Sequence, residues 1–318
     1  MKCWGLWAGL FLIMSLTTVP GSAADQPLII AGQNLEIHYW PQHEDLAFEV
    51  RELVTTNLRD LSSILGMKVK QTIVINIVRS HNEMNQLVGS KLMPWTMGVS
   101  LHRAAHIIIK PLKGKQLARL VIHELTHVLL DMKLAKTQME APRWVHEGLA
   151  QWMEGDLSAT QMNILGRASA EGKLLKFSQL EAAFDGNREK VDLAYAQSYT
   201  LVAYIVNKGP QGALGRLLEY LVDTGDGQTA IVWAMRLPID VVEKRWLLET
   251  RTQYISRGVP ITVELIITGI MLAVFLIAVA VKMRIARNIR KQMQEEEILR
   301  QLFEGYDKED KDFQPPDV

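Results

Sequence analysis

Two stretches of the chain are apolar almost without interruption, and between them apolar and polar positions follow each other with periods that change along the sequence. The first stretch is Leu6 to Val19, with Lys2 ahead of it and Pro20-Gly21-Ser22-Ala23-Ala24 behind. A cation, an apolar run and then small residues are the pattern of an export signal, here cut after Ala24, and about fourteen apolar residues are short for a membrane span. The second runs from Ile261 to Val281, with Thr262, Glu264 and Thr268 as its polar positions. Some twenty residues at about 1.5 Å each cover a hydrocarbon core of about 30 Å, so this stretch predicts a transmembrane helix.

The intervening region starts with strand-like patterns and ends with helical ones. Leu35 to Trp40 alternates, Leu46 to Leu65 has helical periodicity ending at Gly66, and Thr72 to Val78 is rich in β-branched residues. A short helix is expected from Asn82 and a strand over His106 to Lys110, stopped by Pro111. Leu117, Leu120, Val121, Leu125, Val128 and Leu129 then recur at three- and four-residue spacing, and Pro142 suits the first turn of the next helix. Further helices are predicted from Ser158 or Thr160, from Ser178, and over 192–207, 211–222, 227–235 and 240–252. This order predicts an α+β fold: a small mixed sheet with one helix beside it, followed by an all-helical lobe, with a cleft between them and a single transmembrane helix after.

Charge settles the orientation of that helix and little else. Lys282, Arg284, Arg287, Arg290 and Lys291 follow the span, whereas Arg257 is the nearest cation before it. The positive-inside rule places the tail in the cytoplasm. The expected organisation is a signal peptide over 1–24, an extracytoplasmic domain over 25–258, a membrane helix over 259–282 that contacts lipid, and a tail over 283–318 that turns from basic to acidic and is disordered at its end. Lys and Arg together number 35, as do Asp and Glu, so net charge gives no reason to expect a nucleic-acid partner. The single cysteine, Cys3, precedes the expected cut, which leaves no disulfide framework.

The candidate chemistry lies in the helix after the last strand. His123-Glu124-Leu125-Thr126-His127 sets two imidazoles at i and i+4, on one helical face, with a carboxylate between them. Such a pair favours one zinc ion, a catalytic zinc takes a third protein ligand, and Glu147 on the following helix offers a carboxylate at a suitable remove. Glu124 would stand beside the water as general base. His146 should point about 100° away from Glu147 around its helix, and His38, His43, His81, His102 and His106 lack ligand spacing and are expected to be structural or solvated.

These two segments resemble the gluzincins, thermolysin-like zinc peptidases in which a His-Glu-x-x-His helix is followed by a helix that donates a glutamate. Trp144-Val145-His146-Glu147-Gly148-Leu149-Ala150 is similar to the Trp-Leu-Asn-Glu-Gly-Phe-Ala signature of zinc aminopeptidases, with a spacer of nineteen residues from His127 to Glu147, one longer than theirs. The resemblance implies His123, His127 and Glu147 as ligands of one zinc ion, Glu124 as base, and Val99 to Ile109 as an edge strand that pairs with an extended peptide. It also implies an oxyanion donor from the helical lobe, for which Tyr195 and Tyr199 share a face and Tyr195 is taken. Two positions depart from the pattern. Gln151 stands where many gluzincins have an aspartate that orients a ligand histidine, and Trp95-Thr96-Met97-Gly98-Val99 lacks the acid with which aminopeptidases hold a free amine. The expectation is therefore a membrane-anchored zinc endopeptidase acting on peptide or protein substrates. Its rival is a non-catalytic domain of the same shape that binds a partner or a cell-envelope component.

Overall fold

The computed structural model describes residues 26–135, 140–258 and 260–309, so the expected signal segment, Cys3 and the end of the tail lie outside the described residues. Five strands form one sheet: β1 (Leu28–Gly32), β2 (Leu35–Tyr39), β3 (Ile73–Ile77), β4 (Gly98–Leu101) and β5 (His106–Ile109), in the order β1-β2-β3-β5-β4. The inner pairs β2–β3 and β3–β5 are parallel and the outer pairs antiparallel. The sheet is therefore mixed, as expected. Strand β2 buries Leu35, Ile37 and Tyr39, and β3 buries Ile73, Ile75 and Ile77, the period-two pattern of a strand with one face on a core. In β5 both faces are covered, and Ile108 packs with Val78 and Met84 on the side opposite the main core.

Two details depart from the expected pattern. Strand β1 lies outside the expected elements, because no residue in it is fully buried and its sequence does not alternate. The segment Val99 to Ile109, expected as one edge strand, is a hairpin: Arg103 and Ala105 take positive φ at its turn, β4 becomes the edge and β5 moves one place inward.

The first long helix, α1 (Glu44–Ile64), and the helix that follows the sheet, α3 (Gly114–Leu134), share one core with β2, β3 and β5, while the short α2 (His81–Val88) lies over β5. Then come α4 (Arg143–Glu154), α5 (Ala159–Glu171), α6 (Phe177–Ala183), α7 (Arg188–Lys208), α8 (Ala213–Thr224), α9 (Gly227–Met235) and α10 (Ile239–Tyr254). This is the expected helical lobe. One contiguous cluster of buried residues extends from Leu35 in β2 to Trp246 in α10, so the sheet and the lobe do not have separate cores. Close approach of α4 to α7 depends on Gly148, where a Cβ would lie 2.4 Å from the Ser198 carbonyl oxygen. Beyond α10, α11 (Pro260–Glu309) is one continuous helix; its most apolar 18 residues, within Leu265–Arg300, have a mean hydropathy of 2.6 and none is buried, so the helix is long and apolar enough to cross a membrane. Such a helix is compatible with a single-pass membrane protein.

Candidate metal centre

Helices α3 and α4 run antiparallel across the cleft. Arg119 meets Glu154, His123 meets both Glu154 and Glu147, and Asp131 faces His146. Within this register the ring nitrogens of His123 and His127 come together, Nε2 to Nε2 at 3.1 Å. Glu147 Oε2 lies 3.7 Å from the first and 3.9 Å from the second. One ligand atom from each of the three residues falls within 4.8 Å of the others, and no other such group occurs among the described residues. A tetrahedral ion with bonds of about 2.0 Å separates its ligand atoms by about 3.3 Å, so the donor set and its spacing both fit zinc, with one coordination position left for water.

Burial and mutual charge set the protonation of these three residues. Burial opposes a charge on His123, but the carboxylates of Glu154, Glu124 and Glu147 outweigh it and push the ring up to about 9. His127 is held well below its ordinary value by burial and by the two neighbouring imidazoles, His123 and His146. Burial raises Glu147 to about 7 despite the nearby His123. Without a cation the centre thus holds protons between its acids and imidazoles, and a bound divalent ion would take their place.

A carboxylate also orients His123, and it is not at the expected position. Glu154 Oε2 lies 3.2 Å from His123 Nδ1, and Arg119 Nη2 holds the other carboxylate oxygen at 2.9 Å. Gln151 is buried instead against α5, where its Oε1 accepts from Gln161 Nε2 at 2.7 Å. Seven residues are nearly two full turns, so Glu154 returns to the face of Glu147, further along α4 and level with His123. The charge that the amide was expected to lack is therefore supplied one turn later. Carboxylate partners of this kind fix the ring and raise its basicity as a ligand.

The sheet edge positions Glu124. Strand β4 passes so close that a Cβ on Gly98 would lie 3.0 Å from Glu124 Oε1 and 2.7 Å from Leu120 Cδ1. Ser100 donates to the same carboxylate from both its side chain and its backbone. Burial raises the Glu124 pKa, with His123 and the Ser100 bonds pulling the other way.

From the helical lobe, Tyr195 reaches the centre and Tyr199 does not. The Tyr195 hydroxyl donates to the Glu147 carboxylate, its ring packs edge-on against Phe184 at 5.3 Å, and burial together with Glu147 pushes its pKa up to about 12. It is therefore a donor at any physiological pH. Tyr199 packs against the group of Leu165, Leu193 and Tyr254.

Four of the histidines outside the motif fall into two groups. His38 contacts Glu36 and His106 contacts Asn76, both along the sheet and away from the cleft. His102 and His146 line the same cavity of about 520 Å³ as the three ligands. The His146 ring is 5.8 Å from that of His127. The antiparallel register carries His146 past Glu147 and onto Asp131, a placement that spacing along either helix alone does not show.

A two-histidine helix set against a sheet edge, with a glutamate facing it from a helical lobe, defines a gluzincin-like peptidase domain. Residues 54–251 match the Peptidase MA superfamily, and the chain belongs to it. No curated protein matches the chain.

Proposed function

We propose that the chain is a zinc-dependent endopeptidase anchored by α11, with its domain of residues 25–258 outside the membrane and its tail in the cytoplasm. The observation that carries this reading is the convergence of His123, His127 and Glu147 within 4.8 Å, beside a buried Glu124 clamped by β4. Zinc held by those three residues would polarise the scissile carbonyl and activate water at neutral pH. The remaining steps belong to the chain. Glu124 accepts the proton of the attacking water as its oxygen bonds to the carbonyl carbon, then delivers that proton to the amine nitrogen as the C–N bond breaks. Tyr195 would release Glu147 and turn its one O–H to the oxygen that gains charge, an interaction worth about 3–4 kcal/mol in comparable sites. The free edge of β4 offers backbone groups to an extended peptide.

An amide at Gln151, where many gluzincins have an orienting aspartate, would favour the non-catalytic alternative. Glu154 weakens that support by placing a carboxylate on His123. The test is peptide cleavage by the purified full chain and by Glu124→Gln, with zinc content measured in both. We expect the variant to keep its metal and to lose about 10²–10⁴-fold in kcat/KM. Undiminished cleavage in the variant would rule out the proposed role of Glu124.

A further inference from the structure

The α3 face that presents His123 and His127 carries a third polar residue. Asp131 follows His127 by four residues and so lies one turn, about 6 Å, further along the same face. It lines the same cavity as the ligands and is only 6% exposed. Its Oδ2 accepts from the Arg103 backbone N–H at 3.1 Å and lies 3.0 Å from His102 Nδ1. Its Oδ1 is sealed from solvent and has no hydrogen-bond partner among the described residues, and His146 Nε2 at 3.9 Å is too distant to be one. A buried carboxylate oxygen left without a donor is an unmet demand, and a ligand that brings a donor meets it once its neighbours, the His146 ring among them, give way.

The surroundings define that ligand's charge. Glu140 adds a second carboxylate at the mouth, with its Oε1 3.6 Å from His102 Nε2. Arg143 lies on the same wall, but its guanidinium is bound to Asp185 at 2.7 Å and sits over the Phe184 ring. A metal ion is the weaker candidate, because His102, Asp131 and His146 do not bring three ligand atoms together as His123, His127 and Glu147 do. An ammonium or guanidinium group needs no such convergence, since it carries three or five donors of its own.

We propose that Asp131, with Glu140, forms a subsite for an organic cation of the substrate, and that the cation is a lysine or arginine side chain. Reach favours a side chain over a free N-terminus. A lysine stem carries its charge roughly 6 Å from its own backbone, about one helical turn, whereas an α-amine next to the scissile bond stays near the metal ligands. This inference rests on the peptidase reading for its substrate, but recognition can be measured without cleavage.

The experiment uses the zinc-loaded full chain in detergent, carrying Glu124→Gln so that peptides bind and persist. Fluorescent peptides present lysine, arginine or norleucine at one position at a time, each with a free or an acetylated N-terminus. A lysine or arginine at one position is expected to tighten binding at least about tenfold over norleucine, as desolvated charge pairs do. Adding Asp131→Asn should remove that preference while leaving norleucine peptides unaffected, because the amide still offers an acceptor to the Arg103 N–H. The exposed Glu140→Gln cannot endanger the fold and should reduce the preference about twofold to threefold. Equal binding of charged and neutral peptides, no binding of any peptide, or a preference that survives Asp131→Asn would each overturn the proposal. Binding lost on acetylation and indifferent to lysine would overturn the side-chain assignment in favour of the α-amine. Cleavage by the parent chain is scored separately: charge-selective binding without cleavage would leave the subsite standing and refute the peptidase reading.

Discussion

The two ends of the polar stripe on α3 differ in how completely they are satisfied. At the His123 end the imidazole is held by Glu154, which is held in turn by Arg119, and Arg119 also donates to the Asp156 carbonyl at 3.0 Å. At the Asp131 end one carboxylate oxygen is paired and the other is not. A closed chain of partners fixes a ring in one orientation, as a metal ligand requires. A sealed acceptor without a donor, on a residue that lines the cavity, suits a group that brings its own donor and displaces what covers the oxygen. One helix thus presents a preorganised holding end and a receptive end about two turns apart, with His127 between them.

The largest expected effect on the holding end comes from protons. Its ligands must be deprotonated to take a metal, and the cation-free chain keeps His123 up at about 9 and Glu147 up at about 7. Protons therefore compete with zinc more strongly as pH falls. Apparent zinc affinity should drop by about tenfold per unit from pH 8 to pH 7, where His123 alone carries a proton, and more steeply from pH 7 to pH 6, where Glu147 protonates as well, read by competition with a chelator of known affinity. An affinity that does not change over this range would show that the ligands are not protonated as described.

Glu154→Ala breaks the holding end while leaving all three ligands in place. Loss of the orienting carboxylate should weaken zinc binding about 10–100-fold. The same substitution should leave any lysine preference at the receptive end unchanged. Gly148→Ala acts through packing instead, forcing α4 away from α7 where the added Cβ would meet the Ser198 carbonyl. A destabilisation of about 1–3 kcal/mol is expected in thermal unfolding, together with weakened zinc binding because Glu147 moves with α4. Gln151→Ala should change zinc affinity less than about twofold, since its amide bonds to Gln161 and not to a ligand. A larger loss there would return the orienting role to the position four residues after Glu147.

The His123–His127 pair and Glu147 were legible in the sequence because the chemistry coincides with local periodicity: i and i+4 on one helix, and a carboxylate near the start of the next. The inner strands were legible for the same reason, each burying alternate residues. Other features depended on relations between elements. Glu154 becomes relevant only when α3 and α4 are known to be antiparallel and in this register. Asp131 lies at a readable i+4 from His127, but its free oxygen is visible only once Arg103 and His102 are seen to occupy the other. Strand β1 has no buried side and so no alternating signal, and the β4–β5 turn uses Arg103 and Ala105 at positive φ, where no glycine marks it.

The central claim is that His123, His127 and Glu147 hold one zinc ion. The most direct test is the metal content of the full chain, purified without chelators and supplied with zinc, measured by elemental analysis beside His127→Ala. The account predicts one zinc per chain and a marked loss in the variant. A parent chain without zinc, or a variant that retains it in full, would contradict it.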